Sequence, residues 1–145
     1  MDAIGAAQMV ISATNAVRPI IEPAHLGEGA IVCDVALPPD VSPRVSRERP
    51  DVKLIAGGIV DVPQGVDFGF DFGLPSGKTY ACMAETMVLA LEGRYENYSL
   101  GKWIRPTQTH EIAQLAKRHG FVPSTEGYAP PAAGQQEGIC PKAEC

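Results

Sequence analysis

Three short apolar runs, each closed by small polar or turn-forming residues, constrain the fold of this chain more than anything else in it. They are Gln8-Met9-Val10-Ile11-Ser12-Ala13-Thr14-Asn15, Gly29-Ala30-Ile31-Val32-Cys33-Asp34-Val35 and Val52-Lys53-Leu54-Ile55-Ala56-Gly57-Gly58-Ile59-Val60. None alternates cleanly between apolar and polar. Continuous runs of this length, bounded by turn formers, are the signal of buried strands, and a parallel sheet covered on both faces requires them. The pieces between them, Ile20 to Leu26 and Ser42 to Arg49, have room for a turn or two of helix. The fold class is therefore α/β.

A loop dense in glycine and proline follows, from Pro63 to Lys78. Its Phe68, Phe70, Phe72 alternation has strand period and fits either an extended arm or a packed loop. The segment Thr79 to Arg94 predicts a helix. Tyr80, Met83, Ala84, Met87, Val88 and Leu91 form one apolar stripe, with Ser76 or Thr79 as its cap and Gly93 as its stop. A second helix is expected from Thr107 to His119, burying Ile112, Leu115 and Ala116 and ending at Gly120. Tyr98 and Trp103 are expected to pack the two helices together. Beyond Pro123 little remains to bury, and a disordered tail is expected over residues 123–145.

The chain of 145 residues has a net charge of −5 and no basic field to hold a phosphate backbone, so nucleic acid is an unexpected partner. No apolar run reaches the roughly 18 to 20 residues that span a bilayer, and Met1-Asp2-Ala3-Ile4 lacks the positive start of a signal peptide. A cytoplasmic location is the default. The four cysteines, Cys33, Cys82, Cys140 and Cys145, form no C-x-x-C pair and have no histidine at zinc spacing. Four free thiols and no metal are expected. His25, His110 and His119 fit helix surfaces or ends.

Cys82 is the residue with the clearest chemistry. It lies in the first turn of the expected helix, where free N–H groups and the dipole favour an anion, and the thiolate is the nucleophilic form. Cys82, Glu85, Thr86 and Leu89 share the face opposite the Met83, Met87, Leu91 stripe. Cys82 reads either as a nucleophile turned toward a cleft or as a small hydrophobe in a helix contact. Glu85 reads as an acid or base beside it, or as a solvated helix-face residue. Ser12, Thr14 and Asn15 end the first strand, and Gly57-Gly58 ends the third. Ligands of open α/β sheets bind outside the carboxyl ends of strands, so these residues mark one candidate cofactor edge, though each is also an ordinary turn former. Asp34 is placed to cap or bind locally. No G-x-G-x-x-G turn opens the first strand, so the chain reads as the second half of a doubly wound domain.

The stretch Tyr80-Ala81-Cys82-Met83-Ala84-Glu85-Thr86-Met87 through Leu91-Glu92-Gly93 resembles the C-terminal part of long-chain fatty acyl-(acyl-carrier-protein) reductases and their relatives, the predicted amino-acid or shikimate-type dehydrogenases. The likeness continues through Asn97-Tyr98-Ser99-Leu100-Gly101-Lys102 to Arg118-His119-Gly120-Phe121. Pro63 to Lys78 departs from it. The resemblance implies the second half of a Rossmann-like doubly wound sheet over residues 1–62, a connecting loop over 63–78, and a C-terminal helical segment over 79–122. It also implies that Cys82 accepts an acyl group from a thioester of acyl-carrier protein or coenzyme A. NADPH, or NADH, then supplies hydride and an aldehyde is released. The substrate-binding half and phosphate loop of that family are absent, implying a fragment that needs its N-terminal half or a partner chain. Two alternatives stay open: an NAD(P)-dependent dehydrogenase without acyl-cysteine chemistry, and a non-catalytic interaction module.

Overall fold

The computed structural model describes residues 2–64, 66–70, 73–101 and 103–124. The rest of the expected tail, with Cys140 and Cys145, lies outside the described residues, as does Phe72. The chain divides into two units, one ending at Gly57 and one spanning Gly58–Ser124.

The first unit is built on the three runs. After a short helix α1 (Asp2–Gly5), strands β1 (Met9–Ser12), β2 (Ile31–Asp34) and β3 (Lys53–Ala56) form a parallel sheet in the order β1-β2-β3. The register places Met9, Ile31 and Lys53 side by side, and ends with Ser12, Asp34 and Ala56. Alternation then sends Val10, Val32 and Leu54 to one face. There they meet Ile21, Leu26, Val41, Val45 and Val52 in a single apolar cluster. A 3-10 turn (Pro23–His25) and helix α2 (Pro43–Glu48) lie in the crossovers and cover this face. Both short helical pieces were expected at these positions. Ser42 caps α2, its Oγ accepting from the Arg44 N–H at 3.4 Å, and Pro43 occupies the first helical position, where its missing N–H costs nothing.

Arg49, just beyond α2, fastens this layer. Its guanidinium donates to the carbonyls of Pro23, Leu26 and Gly27 at 2.9, 2.7 and 2.8 Å and pairs with Asp51 at 2.8 Å. Main-chain acceptors that a three-residue turn leaves open are thus satisfied by one side chain. The opposite face of the sheet is another matter. Met9 is 63% exposed and Ile11 70% exposed. The expectation of a strand buried on both sides therefore fails for β1, which is an edge strand with an apolar face open.

The third strand ends at Gly57-Gly58, as the sequence predicts, and Gly58 has φ +73°, a left-handed conformation that suits glycine. The residues beyond leave the parallel sheet, and the second compact unit begins at Gly58. Strands β4 (Ile59–Asp61), β5 (Lys78–Tyr80) and β6 (Val122–Pro123) form a separate antiparallel sheet in the order β5-β4-β6. Pro123 and Ser124, assigned to the tail from sequence, are held here: Pro123 pairs with Val60, and the Ser124 N–H donates to Ile59 O at 3.0 Å.

Helices α3 (Ala81–Leu91) and α4 (Pro106–Arg118) pack on this sheet around Ala84, Val88, Leu115 and Phe121. Met87, Ile112 and Ala116 join them, as the apolar spacing predicts. Gly93 (φ +67°) and Gly120 (φ +81°) end the two helices. Three details differ. Leu91 is exposed and Leu89 buried, so the stripe is rotated at its end. Thr79 belongs to β5 and is fully buried, leaving Tyr80 at the start of α3 with no side-chain cap. Trp103 is 93% exposed and packs no helices. Among the described residues no helix is long and apolar enough to cross a membrane.

The open face of β1 makes a prediction about solution behaviour. The chain alone should self-associate through Met9 and Ile11, because an exposed apolar edge strand is a template for pairing. Ile11→Lys should shift the sedimentation profile toward monomer. A wild-type chain that stays monomeric at high concentration contradicts this account.

Candidate functional sites in the two units

In the first unit, the candidate cofactor residues converge on a group that sequence reading missed. Asp40, in the loop after β2, is fully buried and draws the end of β1 onto itself. Ser12 Oγ donates to Asp40 Oδ2 at 2.5 Å, the Thr14 N–H to Oδ2 at 3.1 Å, and Thr14 Oγ1 to Oδ1 at 2.6 Å. Burial alone pushes the Asp40 carboxyl up, but the hydrogen bonds from Ser12 and Thr14 outweigh it and bring the group below its ordinary value. Ser12 and Thr14 are therefore brought together, with their side chains engaged by this chain. Asn15 remains exposed beside them.

Asp34 binds locally, as expected. Its Oδ1 accepts from Ala36 N–H at 3.0 Å and its Oδ2 from Val41 N–H at 2.9 Å. Gly57 serves close packing: a Cβ there would lie 2.7 Å from Val35 Cγ2, 3.0 Å from Cys33 Sγ and 3.1 Å from Asp34 O. Its N–H donates to Asp34 O at 2.7 Å. The absent side chain is taken up by β2. Gly58 opens the second unit, its carbonyl accepting from the Ala81 N–H at 2.7 Å.

In the second unit, Cys82 is the second residue of α3 and is exposed. The Thr86 hydroxyl donates to its carbonyl at 3.2 Å. One turn on, Glu85 Oε1 accepts from Ser99 Oγ at 2.5 Å and from the Ser99 N–H at 3.4 Å. The partly buried Tyr80 hydroxyl is held above its usual range by burial and by the neighbouring Cys82 thiol. Along this face of α3 and the following loop runs an open groove of about 620 Å³, lined by Glu85, Thr86, Leu89, Ala90, Asn97 and Leu100 among others.

The groove's far wall rests on a cluster that sequence reading saw only in part. Arg94 pairs with Glu96 at 2.7 Å and with Glu111 of α4 at 2.6 Å, and its guanidinium lies 4.9 Å from the centre of the Tyr98 ring. The Tyr98 hydroxyl donates to Glu111, which holds that hydroxyl above its usual range and the carboxyl below its own. Tyr98 thus does link the helices, through its hydroxyl. Gln108 closes the start of α4, accepting from the Arg105 N–H and donating to Tyr98 O. Two residues before Arg94, at the C-terminal end of α3, Glu92 takes Arg118 and His119 at 3.1 and 2.6 Å. His25 Nδ1 accepts from Glu22 N–H and His110 meets Gln114. Among the described residues no His, Cys, Asp and Glu cluster could hold a metal ion.

Two measurements follow. Asp40→Ala should lower unfolding free energy by on the order of 3 kcal/mol at pH 7, since it strips charge-assisted acceptors from three buried or half-buried donors. Because the folded carboxyl titrates below its ordinary value near 3.8, Asp40's contribution is present above that value and disappears as pH falls through the folded one. Denaturant melts of both chains should converge at low pH. A gap of the same size at every pH contradicts this. Separately, iodoacetamide should modify Cys82 faster than the half-buried Cys33 in the folded protein. Equal rates by peptide mapping contradict an accessible, reactive thiol.

No family profile matches the chain. Among the curated proteins similar to it are the following two. It is 38% identical over 117 residues to aminotransferase PigE of Serratia sp. (strain ATCC 39006), covering 79% of this chain and 14% of that protein. It is 28% identical over 109 residues to the long-chain acyl-[acyl-carrier-protein] reductase of Synechococcus elongatus, covering 72% of this chain and 31% of that protein. The chain spans less than a third of the length of either relative. Over part of its length, then, it is a distant homologue of a long-chain acyl-[acyl-carrier-protein] reductase, and both relatives carry enzyme names.

Proposed function

We propose that this chain is the acyl-accepting segment of a larger NADPH-dependent reductase that converts a fatty acyl thioester, carried on acyl-carrier protein or coenzyme A, into an aldehyde. The observation that carries this reading is the exposed Cys82 at the uncapped start of α3. It lies in the Ala81-Cys82-Met83-Ala84-Glu85 stretch of a chain distantly homologous to an acyl-carrier-protein reductase.

The Cys82 sulfur attacks the thioester carbonyl, a new sulfur–carbon bond forms, and the bond to the carrier thiol breaks. The proton lost from Cys82 ends on the departing thiol. The exposed side chain of Cys82, the second residue of α3, leaves the sulfur open to an incoming thioester. Glu85, on the same face one turn away and fixed by Ser99, holds that proton in transit. Splitting one difficult step into two is the gain from a covalent acyl-enzyme. NADPH, when bound, supplies the hydride that takes the acyl group to the aldehyde level; NADH has the same chemistry. Asn15 and the main chain at the end of β1, steadied by Asp40 through Ser12 and Thr14, are the residues of this chain that would hold its nicotinamide end.

The higher identity to a protein named an aminotransferase favours a second reading. In it the segment serves a large enzyme of different overall chemistry, and Cys82 takes no acyl group. Intact-mass measurement after incubation with a long-chain acyl thioester separates the two. One acyl adduct is expected on the wild type and none on Cys82→Ala, with peptide mapping placing it at Cys82. An unmodified wild type, or an adduct retained in the alanine variant, overturns the acyl-acceptor reading.

A further inference from the structure

We infer that the groove along α3 receives the pantetheine arm of the incoming thioester and guides its sulfur end to Cys82. This rests on the acyl-acceptor reading above and adds where the carrier's arm lies.

Three observations on the second unit support the assignment. The groove begins one turn beyond the cysteine on the same helix face. Glu85 and Thr86 line its near end, and the Thr86 hydroxyl is bonded to the Cys82 carbonyl at 3.2 Å. From Glu85 to Ala90, the stretch of α3 that lines the groove, the helix axis covers about 7.5 Å, at 1.5 Å per residue. The lining is mixed: Leu89, Ala90 and Leu100 contribute apolar surface, while Glu85, Thr86 and Asn97 contribute polar groups. Glu85 Oε1 is bound to Ser99; among the described residues, Glu85 Oε2 and the Asn97 side-chain amide make no hydrogen bond. A free carboxylate oxygen and a free amide pair suit a ligand that carries N–H and C=O groups at intervals along an otherwise aliphatic chain.

That description fits a pantetheine arm, with its two amides and aliphatic links, better than the acyl chain. An alkyl chain gains most in an enclosed apolar tunnel. This groove is open along its length and has carboxylates on its wall. The acyl group, attached beyond the sulfur, accordingly points past Cys82, away from the groove. In the step itself the Cys82 sulfur displaces the pantetheine sulfur at the carbonyl carbon. The arm leaves as a free thiol with the proton from Cys82, and no electrons are exchanged with any other reactant.

The test compares two donors of the same acyl group, one on pantetheine and one on N-acetylcysteamine, which keeps the sulfur and first amide but lacks the rest of the arm. Acylation of Cys82 is followed by intact mass on the full chain. The wild type should react faster with the pantetheine thioester by about tenfold, the worth of one or two neutral hydrogen bonds. Ala90→Trp, which fills the groove, should erase that preference, and Asn97→Trp, which fills it from the loop side, should do the same. Iodoacetamide alkylation of Cys82 in each variant reports whether the helix start remains intact. Equal rates for the two donors in the wild type overturn the groove assignment and leave Cys82 as acyl acceptor. A preference that survives both tryptophan variants does the same. Alkylation without acylation by either donor overturns the acyl-acceptor reading itself.

Discussion

A carboxylate buried without a cation organises the first unit. Asp40 has no exposed surface and, among the described residues, no ion-pair partner. An isolated charge in that position would be prohibitively costly. It persists because Ser12 and Thr14 supply three hydrogen bonds to it, while its own carbonyl accepts from the N–H groups of Ile20 and Ile21. Asp34 completes the arrangement by taking the N–H of Val41 from the same loop. The ends of β1 and β2 and the loop between β2 and α2 are thereby fixed to one another. The shape of the sheet's carboxyl edge follows from that network more than from the turn residues themselves.

The second unit solves a different problem, that of holding one helix start exposed. The Ala84, Val88 face of α3 is sunk against α4 and Phe121, and the C-terminal end of α3 is tied to α4 by polar contacts. Glu92 meets Arg118 and His119 at the end of α4, and Arg94 meets Glu111 in its middle. Such exposed pairs contribute little stability singly. Their effect here is positional: they fix the loop after α3, and with it the Ser99 that steadies Glu85.

The strands β1 to β3, both short crossover helices, and the two long helices with their glycine stops were legible because each rests on local pattern or composition. What escaped was set by partners distant in sequence. Nothing in Leu37-Pro38-Pro39-Asp40 says that the aspartate would reach Ser12 and Thr14, and its neighbours look like an ordinary turn. Gly57-Gly58 was open to two readings, a cofactor edge or a turn, and only the fold shows that a Cβ at Gly57 would meet Cys33 of β2 and Val35 just beyond it. Gly57-Gly58 marked the end of β3, but hydropathy does not record that Ile59 and Val60 go on into a different sheet. Thr79 read as a cap because capping residues and strand residues overlap in threonine. Cys82 and Glu85 came out on one accessible face because helical spacing alone decides that.

The chain's single tryptophan, Trp103, stands almost wholly in water between α3 and α4. Its indole already has in the native state the environment that unfolding gives to buried rings. Intrinsic fluorescence is therefore nearly blind to loss of either core, and a flat emission signal during a melt carries no message of stability. The same exposure makes the ring a sensitive reporter for the reverse event. Any macromolecule that covers the connection between the two helices will move its emission to shorter wavelength without an added label.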